Sequence, residues 1–285
     1  MFDNYLYKNI SILLILFFHF KINEIKKKNA YKKYNQFNII KDIEKNGDNY
    51  KKYNLKYIQN IKKVVYSIII GGYDKISSFN KQEGFNYFLF TDSNFNNNTN
   101  WTIIPISKLI EKVNISGIKI TRYIKLFPHL FFEDYELSIY FDGSLILNGD
   151  LNELLLKILN PSFNLYLLQH PERNKVFQEL SAVIFYKKDT KEAVDIIEKR
   201  YVEINFPDNL GLTENCIIIR RHNKKDIIKL MEVWWNEIKN YSYRDQLSLN
   251  YAIWKLNIKI KIYYLSKTFM LDYFTQKDHL KVVEY

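Results

Sequence analysis

Two hydrophobic rhythms alternate along the chain from Val64 to Leu256. The stretch from Val64 to Ile70 is almost wholly apolar, rich in β-branched residues, and stops at Gly71 and Gly72. Such a run predicts a strand buried on both faces. Shorter runs follow at Asn86–Thr91, ending at Asp92, and at Trp101–Ile104. From Ile118 to Phe127 the apolar spacing becomes helical. A strand over Leu137–Phe141, a helix around Leu151–Leu159 and a strand over Leu165–Gln169 come next. Lys191–Tyr201 and Lys225–Ile238 are helical in spacing, the second with Ile227, Met231, Trp234 and Ile238 in one stripe. Cys216–Arg220 predicts a further strand and Gln246–Leu256 a final helix. Strands alternating with helices predict an α/β domain with a mostly parallel sheet covered by helices on both faces. In such sheets ligands sit beyond the carboxyl ends of the strands. Polar residues collect there: Gly71 to Asp74 after the first strand, Asp92 after the second, and Asp142 with Ser144 after a later one.

The pattern divides the chain into an N-terminal apolar segment and basic arm (1–61), a catalytic-type domain (62–265) and a C-terminal tail (266–285). Ile10–Phe20 is apolar apart from Ser11 and His19, short of the roughly 20 residues a membrane span needs. Either a short helix packed on the domain or a membrane attachment accounts for it. Lys21, Lys26, Lys27, Lys28, Lys32 and Lys33 follow it directly, so insertion would keep the rest of the chain cytoplasmic, with membrane contact through residues 10–33. From Asn29 to Asn60 the sequence is rich in Lys, Asn and Tyr and reads as a solvated helical linker or arm.

Composition changes this picture little. The hydrophobic fraction of 47% is that of a globular chain. The net charge of +11 would suit an anionic partner, but much of the excess sits in Lys26–Lys63 and the Lys, Asn, Ile usage is that of an AT-rich coding sequence. No nucleic-acid motif accompanies it, so no nucleic-acid partner is expected. Cys216 is the only cysteine, which excludes an intrachain disulfide and a thiolate metal cluster. No GxGxxG, P-loop, GxSxG or HExxH pattern occurs, against dinucleotide enzymes, P-loop NTPases, α/β-hydrolases and zincins.

The candidate chemistry lies in short polar segments. Asp142 ends an apolar strand and Gly143 turns the backbone beside it, a position from which a carboxylate can hold Mg²⁺ or Mn²⁺. Asp-Gly is also a hairpin turn, and Ser144 stands where a second carboxylate would be. Arg122, Lys125 and His129 recur at helical spacing, a face able to hold a diphosphate or simply to be solvated, with Pro128 ending the helix before His129. His170 and Arg173 follow a strand, and Glu214 and Asn215 lie at the mouth of another. Glu214 could act as a base or pair with Arg220 or Arg221. Ser242 and Asp245 fit a helix-capping pattern, which leaves Arg244 and Gln246 unexplained.

Gly72-Tyr73-Asp74, Phe90-Thr91-Asp92, Arg122 with Lys125 and His129, Tyr140-Phe141-Asp142-Gly143 and His170-Pro171-Glu172-Arg173 occur in order. Gly211 to Asn215, Arg220-Arg221-His222, Trp234-Trp235 and Arg244 to Ser248 continue the series. Over Val64–Trp254 this resembles the TOD/MUCI glycosyltransferase-like domain family. The resemblance implies a GT-A-like (Rossmann-like) fold and a hexosyl- or related transferase of polysaccharide biosynthesis. It would move a sugar from a nucleotide-diphosphate-sugar donor to a glycan or lipid-linked acceptor. A non-catalytic scaffold that binds glycan or nucleotide is the alternative. From their positions and this resemblance together, Gly72, Tyr73, Asp74, Asp92, Arg122, Lys125, Asp142, Ser144, Arg244 and Gln246 are expected to bind the donor, with a divalent cation on Asp142. His129, His170, Arg173 and Arg221 would serve the acceptor or support the site, and Glu214 and Asp245 would be catalytic.

Overall fold

Strand β1 (Lys63–Ile69) is buried along its whole length. Its side chains serve two cores, Val64, Tyr66 and Ile68 facing one and Val65 and Ile69 the other, as the two-residue period of a strand requires. The computed structural model describes residues 56–93, 99–115, 117–257 and 260–279. Ile10–Phe20, the lysines that follow it and nearly all of the Asn29–Asn60 linker lie outside the described residues. Among the described residues no helix is long and apolar enough to cross a membrane.

From β1 the sheet grows outward through β2 (Phe85–Thr91) and β3 (Thr102–Pro105), each parallel to its neighbour. Helices α1 (Ser107–Val113) and α2 (Ile118–Leu126) carry the chain back, and β4 (Leu137–Phe141) joins the other side of β1. The direction of growth therefore reverses between β1 and β4, the place where open α/β sheets leave a crevice. Beyond β4 come β7 (Thr213–Arg220), β6 (Leu165–Gln169) and β8 (Ile262–Leu265), giving the order β3-β2-β1-β4-β7-β6-β8. Only β7 runs against its neighbours. The sheet is mostly parallel, as expected.

Helices α1, α2, α6 (Lys225–Asn240) and α7 (Leu249–Leu256) cover one face, with Ile120, Ile124, Trp234 and Ala252 in the core. On the other face lie α3 (Leu151–Ile158) and a small second sheet. Asp150 starts α3 by accepting from the backbone N–H groups of Asn152 and Glu153. A third cluster joins α4 (Val176–Phe185) and α5 (Lys191–Glu203) to Leu247 and Tyr251.

Three boundaries differ from the sequence expectation. Strand β7 begins at Thr213 rather than Cys216, because Thr213 and Glu214 still pair with Gln169 and Leu168 across a β-bulge. The final helix is split into a 3₁₀ turn (Asp245–Leu247) and α7. Residues 266–276 do not trail away: α8 (Lys267–Met270) and β9 (Phe274–Gln276) fold back, and β9 pairs antiparallel with β5 (Leu145–Leu147). Met270 and Phe274 are buried. Elements of three or four residues show no readable hydrophobic period, which hid them.

Gly149 is where this returning segment presses closest. A Cβ there would lie 2.6 Å from the Tyr273 Cα and 2.9 Å from the Asp272 carbonyl oxygen. Gly149→Ala is expected to cost about 1–3 kcal/mol and to raise proteolytic cleavage between Asp272 and His279. An unchanged melting temperature and cleavage pattern would refute this packing.

Candidate active site

Because β1, β2, β3, β4, β6 and β8 run parallel and β7 runs against them, six carboxyl ends and the amino end of β7 meet at one edge of the sheet. Gly71 to Asp74, Asp92, Asp142, His170, Lys267 and Thr213 to Asn215 all lie on that edge. Gly71 and Gly72 take left-handed φ values of 62° and 61°, and the Gly71 N–H donates to both carboxylate oxygens of Asp92 at 3.0 and 2.9 Å. A Cβ on Gly143 would meet the Asp74 carboxylate at 2.9 Å, so the turns after β1 and β4 touch. Asp142 does not sit at the tip of a hairpin, since β4 pairs with β1 and β7 while β5 pairs only with β9.

Asp245 is the centre of the buried part of the site. Lys125 Nζ donates to its Oδ2 at 2.7 Å, Arg122 Nε lies 3.7 Å from the same oxygen, and Asn215 Nδ2 donates to Oδ1 at 3.4 Å. Trp234 Nε1 donates to its backbone carbonyl at 3.0 Å. Burial favours the neutral acid, but the fields of Lys125 and Arg122, the Lys125 hydrogen bond and Arg244 outweigh it and hold the carboxyl down to about 2. The capping account of Asp245 therefore fails: its side chain faces cations from another helix rather than helix N–H groups.

Lys125 also lies 3.6 Å from Asp142 Oδ1 and 5.0 Å from the centre of the Tyr140 ring. Tyr140, two residues before Asp142 and so on the same side of the strand, donates from its hydroxyl to Oδ1 at 2.5 Å. The backbone of Lys125 is clamped too, its carbonyl accepting from the Tyr66 hydroxyl at 2.7 Å and from Arg220. A helical side chain leans towards the amino end of its helix, which carries Lys125 from this clamp to the site edge. Arg122 and Lys125 do share a face, yet Asp245 lies within ion-pair range of both, Arg122 Nε donates to the Tyr243 carbonyl at 3.1 Å, and the Lys125 side chain is only 2% exposed.

Glu214 and Asn215 point to opposite sides of β7. Asn215, which also accepts from the Thr213 hydroxyl at 2.8 Å, reaches Asp245. Glu214 Oε1 accepts from Lys267 Nζ at 3.0 Å, while its Oε2 is buried with no hydrogen-bond partner. The alternative pairing with Arg220 or Arg221 does not occur; Lys267 takes that place. Arg244 donates to Gln246 Oε1 at 3.0 Å, and its Nε is buried without a partner. Cys216 is a free thiol pushed up by burial and by the nearby Glu214 and Asp142 carboxylates, which keeps it protonated.

The remaining candidates are held by neighbouring groups or lie away from the edge. His170 Nδ1 accepts from the N–H groups of Glu172 and Arg173, and burial with the Arg173 and Lys267 charges lowers its pKa to about 4. Arg173 pairs with Glu179 at 2.6 Å. Arg221 lies at the carboxyl end of β7, the opposite edge of the sheet, bonded to the Tyr57 hydroxyl and the Asn160 and Phe163 carbonyls. His129 follows α2 towards that edge too, its pKa lowered by burial and by the Arg220 charge. A cavity of about 540 Å³ opens there between Tyr57, Glu136 and Arg221, away from the carboxylates of the site.

The returning segment supplies residues that no motif announced. The Lys277 N–H donates to the Ser144 carbonyl at 2.8 Å, and His279 Nδ1 lies 2.7 Å from Asp74 Oδ1 with its ring against Tyr73. Tyr140 and Asn215 were legible in principle from their spacing to Asp142 and Glu214. Lys267, Lys277 and His279 were not. Among the described residues no three His, Cys, Asp or Glu side chains gather as a metal site. Asp142, one-third exposed, fits a cation only as a single carboxylate ligand sharing it with phosphate oxygens of a ligand.

The architecture and the edge define a class: an α/β domain whose ligand crevice lies at a reversal of strand order. The chain belongs to the TOD1/MUCI70 glycosyltransferase-like domain family, whose model matches residues 22–283. Among solved structures it is similar to that of the apo WbbM bifunctional glycosyltransferase, with a TM-score of 0.43 and 12% identity over 72% of this chain and 39% of that one. It thus spans about two fifths of that protein's length. It is also similar to apo mouse xyloside xylosyltransferase 1, with a TM-score of 0.41 and 9% identity over 71% of this chain and 85% of that one. No curated protein sequence matches.

Two outcomes test the electrostatics. Asp245→Asn leaves the buried Lys125 with only the more distant, part-exposed Asp142 as counter-ion and is expected to cost about 3 kcal/mol, measured by denaturant unfolding at neutral pH. Because the folded carboxyl titrates near 2, below its unfolded value, the difference from wild type should persist down to about pH 4 and fade towards pH 2. A difference that does not shrink in acid would contradict the ion pair. His170 and His222 are both buried with pKa values lowered to about 4. Each takes up a proton on unfolding between pH 4 and 6.5, so stability should fall with falling pH by about 1.4 kcal/mol per unit for each. His170→Gln should remove one such slope, and an unchanged slope would refute the assignment.

Proposed function

We propose that the chain transfers a sugar from a nucleotide-diphosphate-sugar donor to a hydroxyl of a glycan or lipid-linked acceptor. The observation that carries this reading is Glu214, whose Oε2 is buried at the carboxyl edge with no partner. An unpaired buried acceptor is costly, and a hydroxyl bound against it would satisfy it. Lys267 occupies Oε1 of the same carboxylate, leaving Oε2 as the base that takes the acceptor proton. Asp245, held at about 2, is a weak base and serves instead to orient the donor sugar and to fix Arg122 and Lys125.

The donor would lie over Gly72, Tyr73 and Asp74, between Asp92 and Asp142, with Ser144 beneath. Lys125 and Arg122 are already matched by Asp245 and Asp142, so a diphosphate would bring uncompensated negative charge. Arg244, whose side-chain partner is an amide rather than a carboxylate, is placed to meet part of it, with Gln246 orienting the guanidinium. A Mg²⁺ or Mn²⁺ ion on Asp142 would neutralise the remainder and stabilise the leaving diphosphate. The scaffold alternative has the same binding residues without turnover.

The test is to incubate the full chain and Mn²⁺ with a panel of nucleotide sugars and follow release of nucleoside diphosphate. Glu214→Gln should lower turnover about a hundredfold or more with little change in donor affinity. Full turnover by that variant would remove Glu214 from the chemistry, and nucleotide binding without consumption of any donor would leave the scaffold. Arg244→Ala should weaken nucleoside diphosphate binding roughly tenfold and leave nucleoside binding unchanged. Equal losses would count against a phosphate contact.

A further inference from the structure

Helix α4 ends in three consecutive large apolar residues turned to solvent: Ile184 is 36% exposed, Phe185 78% and Tyr186 57%. Lys187 and Lys188 follow, both exposed. The chain is held in this turn by a C-terminal cap in which the Lys188 N–H donates to the Val183 carbonyl at 2.9 Å and Lys187 takes a left-handed φ of 49°. That position favours glycine, yet a lysine occupies it, which keeps a cation beside the aromatic pair. The turn is also fixed to the site. Tyr243 donates from its hydroxyl to the Lys188 carbonyl and Ser242 to the Asp189 carboxylate, and these residues run directly into Arg244 and Asp245.

We propose that this turn is a docking element for an anionic lipid surface. Exposed aromatic and aliphatic side chains partition into the headgroup region while adjacent lysines keep their ammonium groups at the phosphate level. Lys125, Arg122 and Lys267 in the crevice each have a carboxylate within ion-pair range, whereas Asp189, the residue after Lys188, is engaged by Ser242. Docked in this way, the rim formed by residues 242–246 faces the lipid headgroups. An acceptor carried on a lipid would then reach the edge of the sheet without leaving the membrane. The contact is distinct from residues 10–33 and does not rest on sugar transfer, since it is measured with no donor present.

The experiment is sedimentation of the full chain with vesicles of phosphatidylcholine alone and of an equimolar mixture with phosphatidylglycerol. Wild type should bind the mixed vesicles. Phe185→Ser with Tyr186→Ser should lower that binding about tenfold, and Lys187→Glu with Lys188→Glu by at least as much, since each lysine near an anionic surface contributes about fivefold. All four side chains are exposed, so the melting temperature should stay put. Wild-type binding by both double variants would overturn the proposal, as would failure of wild type to bind mixed vesicles. Loss of a concentration-dependent dimer in the Phe185 and Tyr186 variant, with vesicle binding unchanged, would assign the patch to a second copy instead.

Discussion

The interaction on which the site depends is the buried contact of Lys125 with Asp245. Neither charge is tolerable alone in this interior, because desolvating a single ion costs several kcal/mol. Each therefore fixes the other. Lys125 stands on the helix that returns the chain to the centre of the sheet, and Asp245 on a 3₁₀ turn 120 residues later. Their contact brings those distant segments together above β4 and β7, and Arg122 and Asn215 complete the shell. Chemistry at this edge is thereby built on a structural ion pair.

The sheet explains why the remaining groups converge. A reversal of strand order between β1 and β4 opens a gap at one edge only, and the parallel strands deliver their following turns to it. Strand β7, running the other way, delivers its first residues rather than its last. Glu214 is thus presented by a strand start and Asp142 by a strand end, within one crevice. Arg221, only seven residues beyond Glu214, lies at the far edge because β7 spans the sheet between them.

Much of the sheet was legible in the sequence, because β1, β4 and β6 are buried runs bounded by turn residues. Helix α4 was not: Ile184 and Phe185 face solvent and blur the stripe of Val176, Leu180 and Val183. Among site residues, Arg122 and Lys125 were legible as a shared face, but not that an acid would take both. That fact belongs to tertiary contact, as does the Lys267 contact with Glu214. Local spacing places His129 and Arg221 beside polar residues in the chain, while strand direction carries them away from the crevice.

The segment around β9 has a consequence for the order in which the molecule is made. Asp74 and His279 are separated by 205 positions, and Ser144 waits for Lys277. During synthesis, chain that has emerged through α7 already contains every strand of the main sheet except β8, yet the turns after β1 and β4 still lack the backbone that closes over them. Contacts so distant along the chain form late and slowly. The crevice is therefore completed only when residues 267–279 have been made, and with it the part of the core that Met270, Tyr273 and Phe274 fill.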